Sequence, residues 1–341
     1  MSASEKGYIP VKTGGKLFGL EAERVTTDEM HRVYRELYIL INDFDKMVLS
    51  RYLPSKETHG DIDIIVLSKM DESSDLQRLL RVVFPSQIIK YSRNGNCHSV
   101  LFYSNAIQKK VHVDFIYLTD ESKFSCHVDY YSFNDFSGII GIFSKKMHFK
   151  YGTEGFFKRY RDKKGNWHDI HITDNLMTGL EILGYVNAEK YFNKIENLDD
   201  IIKFVIYSPM FDVSFFTHEE MNQSDRKSMK RAVLSHVVQQ IRKTDKKATI
   251  TDEDFFLKLN YYQLYEKVEN EKRLIEEKVF AINNPYNGTW LIEKFNMRPG
   301  KEMGMILKSI CEKFGTEPVD VPEADVIDFV RNNSVKINSF A

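Results

Sequence analysis

Apolar residues recur at helical spacing through Val33, Leu37, Leu40 and Phe44. Thr26 and Glu29 stand as a capping box ahead of them, so the pattern predicts a helix over 26–48. Pro54 and Gly60 then break the stretch LSRYLPSKETHG. The apolar run IDIIVLS predicts a strand, and SSDLQRLLRVVF (73–84) predicts a helix with a serine cap. QIIKYS and HSVLFYS, separated by the turn-like RNGN, predict two more strands, and VHVDFIYL (111–118) a further one.

This order describes a small α+β domain built on a mixed sheet, over 26–120 after an N-terminal extension of residues 1–25. FFKRYRDKKGNWHDIHIT then predicts a β-hairpin near 156–173, turning at Lys164, Gly165 and Asn166. Helical periodicity dominates the rest of 121–341, with the domain boundary expected near 120–150. Gly138 and Gly141 are expected to allow close helix or turn packing. The basic stretch 226–247 is expected to be a single helix with Val233, Val237 and Ile241 as its apolar stripe.

Composition narrows the classes. With 42% apolar and 13% aromatic residues the chain is expected to fold rather than stay disordered. Its 48 basic and 49 acidic residues leave a net charge of −1, so a polyanion would need a local basic patch. The three cysteines, Cys97, Cys126 and Cys311, have no CxxC spacing, which points to a reducing compartment and away from a zinc site. The polar start MSASEKGY predicts no signal peptide, and no apolar run reaches membrane-spanning length. A cytoplasmic location without a membrane partner is expected.

The candidate chemistry sits in HGDIDIIV (59–66) and VHVDFIYL. Strand alternation sends Asp61 and Asp63 to one face and Ile62 and Ile64 to the other, and Asp114 away from Val113 and Phe115. If the two strands are neighbours, three carboxylates converge, and divalent cations would remove their repulsion. Lys145, Lys146 and Lys150 form a basic cluster downstream, candidate contacts for a triphosphate or a nucleic-acid backbone.

SRYLPSKETHGDIDIIV followed by VHVDFIY resembles the nucleotidyltransferase superfamily of DNA polymerase beta. The resemblance covers about residues 30–118 and implies a palm-like catalytic domain. It implies that Asp61 and Asp63 hold two magnesium ions, or manganese, with a nucleoside triphosphate, and that Asp114 supports the ion activating the attacking hydroxyl. The family's Gly-Ser, which holds the triphosphate, appears here as Leu49-Ser50-Arg51 or Ser50-Arg51, so the resemblance implies phosphate contacts from the Ser50 hydroxyl, from Arg51 or Lys56, and from His59 beside Gly60. MRPGKEMGMILKSI resembles a helical element of CCA-adding enzymes and bacterial poly(A) polymerases, which implies an RNA 3′ end, such as that of a tRNA, as acceptor. A small-molecule, protein or DNA acceptor, a catalytically degenerate binding module and an Asp-x-Asp glycosyltransferase stay open on the motifs alone.

Overall fold

In the computed structural model, which describes residues 16–68, 74–281, 285–314 and 321–337, Thr26 caps a helix as its spacing predicts. Its hydroxyl accepts from the Glu29 amide at 3.2 Å, and the Glu29 carboxylate accepts from the Thr26 amide at 2.8 Å. Residues 1–15, which include most of the expected extension, and residue 73 of the expected serine cap lie outside the described residues.

The first helix, α1 (Thr27–Leu37), stops earlier than its periodicity indicates. A 3-10 segment (Tyr38–Asp43) follows, and Lys46–Leu49 is a strand rather than the end of a helix over 26–48. Leu40 and Phe44 still reach the core that Val33 and Leu37 face, so the apolar stripe is kept while the hydrogen bonding changes. The tertiary pairing of Lys46–Leu49 with a central strand outweighs helical periodicity there.

The strands are β1 (Val25–Thr26), β2 (Lys46–Leu49), β3 (Thr58–His59), β4 (Ile62–Leu67), β5 (Ile88–Asn94), β6 (Cys97–Ser104), β7 (Lys109–Leu118), β8 (Phe149–Gly152), β9 (Gly155–Arg161) and β10 (Trp167–Thr173). The chain is α+β. Its main sheet is mixed, in the order β2-β4-β7-β6-β5, with β4 and β7 parallel and the other pairs antiparallel. The turn between β5 and β6 carries Gly95 at φ 61°, where a β-carbon would be strained.

The two faces of this sheet differ. Ile62, Ile64 and Val66 pack with Val113, Phe115, Val100 and Phe102 against α1 and α2 (Ser74–Val83). On the other face, Ile65, Leu67, Ile116 and Leu118 lie under Phe124, Val128 and Tyr131, at and beside α3 (Phe124–Tyr130). That cover reaches only the C-terminal ends of β4 and β7.

His98 sits in the first core with no solvent exposure, joined to the Tyr91 hydroxyl at 2.5 Å. Burial, with Arg93 adding to it, pushes its imidazole down to about 4. The unfolded chain takes up that proton near pH 6.5 and the folded one only near 4, so stability falls as pH drops across this window. The share due to His98 is up to about 3 kcal/mol. Urea midpoints at pH 7 and pH 5 should therefore differ less in His98→Phe than in the unsubstituted chain; an equal difference would remove His98 as a cause.

Beyond the sheet, α4 (Phe136–Lys146) runs into β8, and β8, β9 and β10 form a three-stranded sheet that contains the expected hairpin. Gly138 and Gly141 are not points of close approach among the described residues, since a β-carbon at either would meet none of them within 4 Å. Helices α5 (Leu176–Ile182), α6 (Ala188–Phe192) and α7 (Leu198–Tyr207) follow. The expected single helix over 226–247 is two, α8 (Gln223–Ser228) and α9 (Ala232–Ile241). Arg231 between them is extended and is drawn to Asp135 at 2.5 Å, which interrupts the helical path. Val233, Val237 and Ile241 are buried as expected.

The chain divides into two compact units, Met1–Arg159 with Asp169–Tyr265, and Tyr160–His168 with Glu266–Ala341. The second takes the hairpin tip, whose Tyr160 hydroxyl and Lys163 amide both donate to Glu276 of α10 (Tyr262–Ala281). Its core is Trp290, Leu291, Met303, Ile306, Ile310, Val326 and Val330. A β-carbon at Gly300 or Gly304 of the MRPGKEMG phrase would meet none of the described residues within 4 Å. Among the described residues no helix is long and apolar enough to cross a membrane.

Candidate metal and phosphate site

The parallel register of β4 and β7 sets Asp63 beside Asp114, with Ile62 beside Val113 and Ile64 beside Phe115. The isoleucines enter the core and the aspartates take the opposite face, because successive residues of a strand alternate. One step before the first paired residues, the same register brings Asp61 level with His112. A carboxylate oxygen of Asp61, a ring nitrogen of His112 and a carboxylate oxygen of Asp114 lie within 4.8 Å of one another.

The row extends across the sheet. The Ser50 amide donates to the Asp63 carbonyl at 2.9 Å, carrying the β2–β4 ladder one residue further and setting Ser50 opposite Asp63. On the other side Ser99 of β6 stands opposite Asp114 and donates to Asp114 Oδ1 at 2.5 Å. His112 Nε2 donates to the same oxygen at 2.9 Å. Two hydrogen bonds on Oδ1 hold the Asp114 carboxylate in one orientation.

Electrostatics mark this patch. Burial, then the Asp61 and Asp114 carboxylates, pushes the Asp63 carboxyl well above the usual carboxylate range, and Lys56 opposes them. Burial also pulls the half-buried Lys56 ammonium below the usual lysine range, with Asp61 and Asp63 acting against it and Arg24 adding to it. Cys97, two residues before Ser99, is pushed up to about 12 by burial and then by Asp114, so it remains a neutral thiol. Three carboxylates, an imidazole and a nearby ammonium on one face are a donor set that fits a hard divalent cation and an anionic ligand together.

The remaining expected residues divide. Gly60 is buried at the bend into β4. His59 is buried at 3% exposure in β3, hydrogen-bonded to Thr27 Oγ1 at 3.1 Å and packed on Tyr52. Burial, with Lys56, Arg24 and His31 adding to it, pushes its imidazole down to about 4, so it is a neutral core group. Arg51 lies on the Phe192 ring and donates to Asn193. Its carbonyl accepts from Phe133 at 2.8 Å, where Phe133 and Asn134 both hold positive φ, 57° and 60°. Lys145 is paired with Asp225 at 2.5 Å, Lys146 with Glu220 at 2.8 Å and Lys150 with Asp169 at 2.8 Å, so the basic cluster is spread over three acidic partners.

His112, Ser99 and Asp135, whose charge reaches Lys56, were not among the sequence candidates. His112 was legible, because it precedes Asp114 by two in a strand and must share its face. Ser99 depends on strand register, which the sequence leaves open. Compared with protein-family models and with curated proteins, the chain matches none.

Proposed function

We propose that the chain is a divalent-cation-dependent nucleotidyltransferase. It moves a nucleoside monophosphate from a nucleoside triphosphate to an acceptor hydroxyl and releases pyrophosphate. The observation that carries this reading is the β4–β7 register, which places Asp63 beside Asp114 with Asp61 on the same face.

Two bound magnesium ions, or manganese in their place, would supply Lewis acidity to the phosphate and to the attacking hydroxyl. Asp61 and Asp63 would hold the cations with the triphosphate, and Asp114 would serve the side where the acceptor hydroxyl attacks. Ser99 and His112 keep Asp114 oriented. Ser50 offers its hydroxyl to the phosphate oxygens. Lys56 adds the positive charge that the carboxylates alone would deny a triphosphate. Leu49 in place of the family's glycine makes this loop less open to close backbone approach.

The acceptor we favour is an RNA 3′ end, on the resemblance of residues 297–310 to RNA-extending enzymes. A cytoplasmic setting agrees with three free cysteines. The test is incubation with each α-labelled nucleoside triphosphate, magnesium or manganese, and total cellular RNA, with Asp61→Ala/Asp63→Ala as control. Aspartate-dependent label on RNA of tRNA size supports the reading, and label on protein or a small molecule moves the acceptor. No label on any acceptor, together with no triphosphate binding, sinks it.

A further inference from the structure

We propose that His112 is a nitrogen ligand of the cation site, making an Asp61–His112–Asp114 set that prefers manganese to magnesium. The inference rests on the metal centre of the proposed enzyme and adds a residue that the Asp-x-Asp and later-Asp pattern does not contain.

Three observations carry it. First, His112 and Asp114 share a face of β7, and the parallel register brings Asp61 alongside His112 from β4. Backbone geometry therefore delivers the imidazole to the carboxylates. Second, His112 Nε2 is 2.9 Å from Asp114 Oδ1. Ligands on adjacent corners of an octahedron with bonds of about 2.1 Å lie about 3 Å apart, so this separation suits two donors on one ion. Small side-chain rotations bring in Asp61, whose oxygen is within 4.8 Å of both.

Third, the His112 side chain is 5% exposed, and its Nδ1 is buried with no hydrogen-bond partner among the described residues. The tautomer of an imidazole is set by the hydrogen bond that its far nitrogen makes, and Nδ1 makes none here that would fix it. The ring can bind a cation through Nε2 as neutral imidazole, its proton moving to Nδ1. Ser99 continues to hold Asp114 when His112 turns from its hydrogen bond to the cation.

The consequence is metal choice. Magnesium takes oxygen donors and gains little from imidazole, whereas first-row transition ions accept nitrogen readily. A site of two carboxylates and one imidazole tilts toward manganese without excluding magnesium.

The test uses the full chain, stripped with EDTA and loaded with manganese alone. Pulsed electron paramagnetic resonance should show nitrogen-14 modulation from one imidazole, replaced by nitrogen-15 coupling when the protein carries nitrogen-15 histidine. That labelling needs no substitution, so it does not depend on a variant folding. In His112→Gln, checked by its melting curve, the modulation should vanish. The manganese dissociation constant should rise at least about tenfold while that of magnesium changes little. Manganese bound without nitrogen modulation, modulation that survives in His112→Gln, or no manganese binding would each overturn the inference. Label transfer by the unsubstituted chain without a nitrogen signal would remove His112 and leave the reaction. A nitrogen signal without transfer to any acceptor would keep the metal site and remove the reaction.

Discussion

Asp63→Asn is expected to slow label transfer about a thousandfold and at the same time to raise the melting temperature of the metal-free protein. Asp63 stands at the centre of the cross-strand row, with Ser50 on one side and Asp114 on the other. Without a cation its charge is opposed by burial and by two neighbouring carboxylates, and Lys56 offsets only part of that. Asparagine keeps the shape and removes the charge, so the folded state loses a repulsion worth about 1 kcal/mol. On the proposed reaction the catalytic loss is larger, because the cations would lose one of their carboxylate ligands. Turnover assays and calorimetry in EDTA at pH 7 read the two effects separately. A variant that transfers label at the normal rate would remove Asp63 from the site. One that melts lower without metal would show that the aspartate is held by favourable contacts instead.

Lys158→Ala is expected to cost about 3–5 kcal/mol in stability, and Lys158→Met distinctly less. Lys158 of β9 is 1% exposed, and its ammonium lies 2.7 Å from Glu253, 3.0 Å from Asp254 and 4.4 Å from the centre of the Phe149 ring. His148 also reaches Glu253. Alanine removes the cation at the centre of this arrangement and leaves a gap against Phe149. Methionine fills the volume and forfeits only the charge. The two variants thus separate packing from ion pairing in urea unfolding curves. Equal losses would mean that the charge alone matters, and no loss in either would mean that the segment 253–254 is held by other groups.

The readable part of the molecule was its local chemistry. The capping box at Thr26 and Glu29, the strands carrying GDID and VHVDF, and the hairpin turning at Gly165 follow from side-chain period, caps and turn residues, which act over a few positions. The early end of α1 and the break between α8 and α9 were not readable in that way. In the first, strand pairing of Lys46–Leu49 with β4 overrides a helical apolar stripe; in the second, Arg231 leaves the helical path for Asp135, 96 residues away in sequence.

The same division runs through the site. By itself the sequence determined that Asp61 and Asp63 share one strand face and that Asp114 shares its face with His112, because alternation is a property of any extended chain. Only the tertiary structure decided that β4 and β7 are adjacent, parallel and in a register that joins these faces into one patch. It also decided that Ser99 orients Asp114, that His59 is a neutral core residue and that Lys145 and Lys146 are bound to Asp225 and Glu220. Pairing, register and burial are set by the summed packing of residues distant in the chain, and no short stretch of sequence contains that sum.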